Sequence, residues 1–144
     1  MYRIQIEEIV DLDIGMVFER LTDHANYDRF PGISHSELLR PGRPNPNGVG
    51  ASRKIKAGPI TFIEDIVGYD PPNLLEYRVI KSSPIRIDHK LGIVKLSKQR
   101  NRTKVNWVSE FEIPLPIIGR IVERIAGYTF AKAFSKLLRS IEKN

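Results

Sequence analysis

Thr103-Lys104-Val105-Asn106-Trp107-Val108-Ser109-Glu110-Phe111-Glu112-Ile113-Pro114-Leu115-Pro116, with the run Ile117 to Ile141 that follows, holds a change of period. Before the prolines, Val105, Trp107, Ser109 and Phe111 alternate with Asn106, Val108 and Glu110, the period of a half-buried strand. After them the spacing is helical. Ile117, Ile118, Ile121, Val122, Ile125 and Thr129 form one stripe, and Phe130, Ala133, Phe134, Leu137 and Ile141 continue it with some rotation. Lys132, Lys136, Arg139, Glu142 and Lys143 fall mostly elsewhere. A helix of about 25 residues would be ~38 Å long and must lie along a sheet to bury such a stripe. Gly119 and Gly127 are poor helix formers and permit a bend or a close backbone contact.

Upstream, strand-like runs are separated by turn residues. Tyr2 to Val10 alternates. Asp13 can cap a short helix carrying Ile14, Val17, Phe18 and Leu21, and a second helical turn covers Ala25 to Phe30 before Pro31-Gly32 ends it. The runs Ile33 to Arg40, Val49 to Ala57, Ile60 to Tyr69, Leu74 to Lys81, Ile85 to Ser97 and Thr103 to Ile113 then read as strands. The loop from Pro41 to Gly48 has three prolines and two glycines, so it is neither helix nor central strand. The order is strand, two short helices, about six strands, one long helix. This is an α+β chain in which a curved antiparallel sheet of about seven strands wraps a long C-terminal helix. Propped apart at one end by the short helices, sheet and helix enclose a cavity.

The totals agree with one domain over residues 1–144. No apolar run reaches the ~18 residues of a membrane span. Tyr2-Arg3-Ile4 alternates where a signal peptide would be a block, so the expected compartment is the cytoplasm. Cysteine is absent, which removes thiol nucleophiles and zinc–thiolate sites. The formal charge is +6. From Glu76 to Lys104 nine Lys or Arg face only two acids, mostly alternating with apolar residues as on the solvated side of a sheet. That face is a solvated surface or a patch for RNA or an anionic membrane; DNA is not expected. The hairpin tip Lys98 to Lys104 has no aromatic residue on which bases could stack.

Three stretches carry a family resemblance: Asp13 to Asp23 leading to Tyr27-Asp28-Arg29-Phe30-Pro31-Gly32; Tyr69-Asp70-Pro71-Pro72-Asn73-Leu74-Leu75-Glu76-Tyr77-Arg78; and the proline-bounded C-terminal helix. Together they resemble the START/birch-pollen-allergen superfamily, the helix-grip fold, and in particular its bacterial polyketide cyclase/dehydrase-like members. The resemblance covers nearly the whole chain. It implies a pocket between sheet and helix for a hydrophobic or aromatic small molecule. It carries over no catalytic residue, because the superfamily joins carriers, receptors and cyclases.

Strand parity names the residues expected to face that pocket. Ile85, Ile87, Leu91 and Ile93 share one parity with His89, which is a satisfied core histidine, a ligand contact or a general base. Trp107 and Phe111 are pocket wall or core, with Ser109 a polar point between them. Arg53 shares parity with Val49, Ala51 and Ile55; buried, it needs Glu64, Glu110 or an acidic ligand as partner, and a bulge would instead turn it to water. Tyr77 brings a hydroxyl that wants a partner. Ile125 and Thr129 are expected to supply the helix side. His24 and Asp28 are four residues apart, too few for a metal site, and the sequence calls for no cofactor. There is no P-loop, G-x-S-x-G or H-E-x-x-H motif. Three functions fit: a carrier of a small hydrophobic ligand, a polyketide-type cyclase or dehydratase, and an interaction module using the basic surface.

Overall fold

The computed structural model describes residues 1–143. Strand β1 (Tyr2–Val10) leads to helix α1 (Ile14–Leu21), whose first turn is closed by the Asp13 carboxylate accepting from the Met16 N–H at 3.2 Å. Ile14, Val17, Phe18 and Leu21 are its buried face, as their spacing requires. A 3₁₀ helix, His24–Arg29, buries His24 and Tyr27. Strands β2 (Ile33–Arg40), β3 (Ser52–Ala57), β4 (Ile60–Asp70), β5 (Leu74–Ser83), β6 (Asp88–Gln99) and β7 (Arg102–Glu112) follow, and then helix α2 (Gly119–Ser140).

The seven strands form one antiparallel sheet in the order β1-β7-β6-β5-β4-β3-β2. The chain meanders from β2 to β7, and β1 adds to the far edge by pairing with β7, Ile6 opposite Trp107. The expected strand at Val49 begins later, at Ser52. Gly50 has φ +93°, and the Ala51 N–H closes a turn on the Gly48 carbonyl. The β6–β7 hairpin turns on two residues with Arg100 at φ 58°.

Two register features shape the sheet. Between His89 and Leu91 a bulge resets β6 against β7. It reverses the parity expected from the sequence: beyond it Gly92, Val94 and Leu96 are buried, while Leu91 and Ile93 are only half-buried. Leu91 is therefore not a pocket residue. The second feature is a short ladder. β5 pairs with β6 only from Leu74–Lys95 to Tyr77–Gly92. Beyond it, the Val79 N–H donates to His89 Nδ1 at 3.0 Å, so an imidazole stands where a ladder carbonyl would otherwise accept.

α2 crosses the concave face and packs against β1, with a rotation that its apolar spacing does not disclose. Gly127 lies so close to Tyr2 that an added Cβ would overlap the ring. Buried Glu123 accepts from the Ile113 N–H at 3.0 Å. These contacts draw the Glu123–Gly127–Phe130–Phe134 side onto the sheet. The isoleucine stripe consequently faces out: Ile121 is 61% exposed and Ile125 63%. Ile125 and the neighbouring Thr129 thus do not reach the pocket, contrary to the expectation from the stripe.

Candidate ligand cavity

Between the sheet and the second half of α2 lies a cavity of about 130 Å³. α2 supplies Phe130, Ala133, Phe134 and Leu137; Pro31, Gly32 and Ile33, just after the 3₁₀ helix, also line it. The sheet contributes Phe62, Val79, Trp107 and Phe111, and Ile87 joins them just before β6. Phe134 stacks on Trp107 at 4.0 Å between centroids with 3° between planes, and Phe130 meets Phe111 edge-on at 5.6 Å. An apolar cavity of roughly 150 Å³ accepts a benzene-sized molecule, so this volume suits a single ring or an equivalent group.

Two polar clusters interrupt the apolar wall. In the first, Arg53 is 3% exposed. Its Nε donates to Glu64 Oε1 at 2.8 Å, a second guanidinium nitrogen lies 2.7 Å from the same oxygen, and Nη1 donates to His24 Nδ1 at 3.0 Å. The guanidinium sits over the rings of Tyr27 (4.7 Å) and Tyr77 (5.5 Å). Burial is the largest single influence and works against its charge, but the Glu64 carboxylate and Tyr27 together more than offset it and hold the Arg53 pKa above its ordinary value. His24 Nε2 faces the Asn47 carbonyl at 2.9 Å and must carry the proton there, leaving Nδ1 as acceptor. Burial first, then the Arg53 charge, lowers the His24 pKa to about 3. Of the readings the sequence left open for Arg53, the structure shows burial against Glu64. An already paired arginine does not demand an acidic ligand.

In the second cluster His89 stacks on Tyr77, 5.4 Å between centroids. Because Nδ1 accepts from Val79, the neutral ring carries its proton on Nε2 and directs it at Ser109 Oγ, 3.2 Å away. Burial first, then the charge of Arg78, lowers the His89 pKa to about 4. Trp107 Nε1–H donates to Tyr77 Oη at 2.8 Å. Burial raises the Tyr77 pKa, so its hydroxyl keeps its proton. Gly92 makes this packing feasible: a Cβ there would lie 2.5 Å from the Tyr77 ring and 2.8 Å from His89. Among the described residues no buried side-chain nitrogen or oxygen lacks a partner.

Of the residues named from the sequence, Arg53, Tyr77, Ile87, His89, Trp107, Ser109 and Phe111 line the cavity. Leu91, Ile125 and Thr129 do not. Sequence reading gives Tyr27 no place in the cavity, names Glu64 only as one of three partners for Arg53, and gives no role to Gly92, which packs against Tyr77 and His89. Glu64 sits in a strand with apolar residues on both parities, and Gly92 shows its role only through what a side chain would strike. Phe130, Phe134 and Leu137 carry a legible signal, the i, i+4, i+7 spacing, but the more numerous isoleucines outweigh it.

Comparison with known proteins places the chain. The family model for polyketide cyclase / dehydrase and lipid transport matches residues 1–144, and the chain belongs to that family. Among solved structures it is similar to TTHA0849 from Thermus thermophilus, at 13% identity and TM-score 0.79 over 99% of this chain and 95% of that one. A START superfamily protein from Mycobacterium smegmatis is equally similar, at 12% identity and TM-score 0.79 over 99% and 98%. A protein from Thermobifida fusca reaches 21% identity with TM-score 0.70 over 99% and 95%. A search of the curated proteins returns no match. At such identities the likeness is one of fold, the helix grip, and the family's small-ligand-binding architecture is the functional statement it supports.

Proposed function

We propose that this protein binds a small hydrophobic molecule, aromatic or of similar bulk, bearing a hydrogen-bond-accepting oxygen such as a carbonyl. The observation that carries this reading is the proton count in the His89–Ser109–Tyr77–Trp107 cluster. Ser109 and Tyr77 each accept a hydrogen bond, from His89 and Trp107, and each still has its own hydroxyl proton. A hydroxyl donor is therefore available to a ligand beside the apolar wall. A ligand lacking an acceptor would leave it unpaired.

Binding is favoured over cyclase or dehydratase turnover by the state of His89. The single lone pair of the neutral ring is taken by the Val79 N–H, and a pKa of about 4 makes it a weak base near neutrality. Its role in this reading is to orient Ser109. The test is native mass spectrometry of the protein as purified from cells, then solvent extraction and identification of what is released. A single-ring or comparably small carbonyl compound, in a one-to-one complex, is the expected result. An anionic or purely hydrocarbon ligand would contradict the reading.

A further inference from the structure

The outer face of α2 has no partner in the fold. Ile117 is 99% exposed, Ile118 51%, Ile121 61%, Ile125 63% and Tyr128 61%. Ile121, Ile125 and Tyr128 recur at i, i+4 and i+7, so they form one ridge along two turns, on the side away from the sheet. Isolated exposed apolar side chains are ordinary; a contiguous ridge is not. Ile117 adds a second oddity. It is a β-branched residue at φ 70°, a strained conformation that holds its side chain in water just before the helix begins. Neither feature serves the cavity.

The charges beside the ridge identify what covers it. Arg120, Arg124, Lys132 and Lys136 lie on the same helix, and none is in an ion pair among the described residues. The sole acid in α2 is Glu123, which is buried on the opposite side. Lys132 Nζ lies over the Tyr128 ring at 4.6 Å, its stem running beside the apolar ridge. An apolar ridge flanked only by cations matches the boundary of an anionic bilayer, apolar chains below and phosphates above. A second copy of this chain fits poorly. Two-fold contact would set Arg120 and Arg124 against themselves. Nucleic acid would satisfy the cations and leave the isoleucines wet.

We infer that the first three turns of α2 dock this protein on anionic membrane surfaces, with Ile117, Ile121, Ile125 and Tyr128 entering the acyl boundary and Arg120 and Arg124 at the headgroups. No helix among the described residues is long and apolar enough to cross a bilayer, so the contact is peripheral. The same helix forms a cavity wall through Phe130, Ala133 and Phe134, and Ala133, Pro31 and Gly32 are lining residues that are also exposed. The inference holds whether or not the cavity takes the ligand class proposed above.

The test is flotation of the intact protein with phosphatidylcholine vesicles and with vesicles of phosphatidylcholine mixed with phosphatidylglycerol, at low and high salt. The wild type is expected to float with the mixed vesicles about tenfold more than with the neutral ones, and to lose binding as salt rises. Ile121→Gln/Ile125→Gln keeps a good helix former at exposed positions, so thermal melting should stay near wild type while flotation falls about tenfold. Arg120→Glu/Arg124→Glu should abolish the preference for anionic vesicles. No flotation of folded wild type, or flotation unchanged in both variants, would overturn the proposal. So would a dimer in analytical ultracentrifugation that the isoleucine variant dissociates, since the ridge would then belong to a second copy.

Discussion

Both halves of α2 carry apolar side chains at helical spacing, and they use them oppositely. The second half turns Phe130, Phe134, Leu137 and Leu138 onto the sheet and walls the cavity. The first half turns Ile121 and Ile125 to solvent and meets β1 with Gly127 under the Tyr2 ring. Hydrophobicity alone does not say which side of a helix is buried. Here the small residue and the buried carboxylate of Glu123 settle the rotation, because a glycine allows an aromatic ring to approach the helix backbone and a carboxylate takes up an otherwise unpaired N–H.

The largest expected effect separates the halves directly. Leu138 is fully buried, and Leu138→Ala should lower unfolding stability by about 2–5 kcal/mol, whereas Ile125→Ala should stay within about 0.5 kcal/mol. Urea denaturation measures both, and equal losses would break the comparison. Next, Gly127→Ala should cost about 1–3 kcal/mol through displacement of Tyr2, despite alanine's better helix propensity. A stabilised Gly127→Ala variant would show that Tyr2 does not fix the rotation.

The two buried histidines sharpen the contrast through pH. His24 and His89 have folded pKa values of about 3 and about 4, below the ordinary 6.5. The unfolded chain therefore binds more protons between these values and 6.5. Their neutral forms support the fold fully above pH 6.5, and that support is lost as pH falls from 6.5 toward 4 and 3, on the order of a few kcal/mol in all. Urea midpoints measured across that range should fall accordingly, and His24→Gln should flatten the slope. A slope unchanged in that variant would remove His24 as a cause. Smaller still, Ser109→Ala should weaken binding of an acceptor-bearing ligand about fivefold, one neutral hydrogen bond's worth, and leave binding of the matching hydrocarbon unchanged.

Much of this is legible in the sequence. The Pro114-Leu115-Pro116 break, the Asp13 cap and the alternation in β7 lead to the element order and the helix grip, and strand parity finds Trp107, Ser109 and Phe111. Parity fails where its premise does. The bulge after His89 has no signature in Ile87 to Ile93, and it moves Leu91 off the cavity. The rotation of α2 depends on a contact between Tyr2 and Gly127, at opposite ends of the chain. Long-range packing of that kind leaves no periodic trace. His89 is legible as an inward histidine, but its tautomer follows only from the interrupted β5–β6 ladder that leaves the Val79 N–H to it.

Trp107 is the chain's one tryptophan, and it stands in the cavity wall against Phe134. The most direct measurement is its fluorescence during titration with a matched pair, acetophenone and ethylbenzene. Saturable changes are expected with both, with tighter binding of the ketone in the wild type and a smaller difference in Ser109→Ala. No change in Trp107 emission with either compound, in a protein shown to be folded, would contradict the proposed binding.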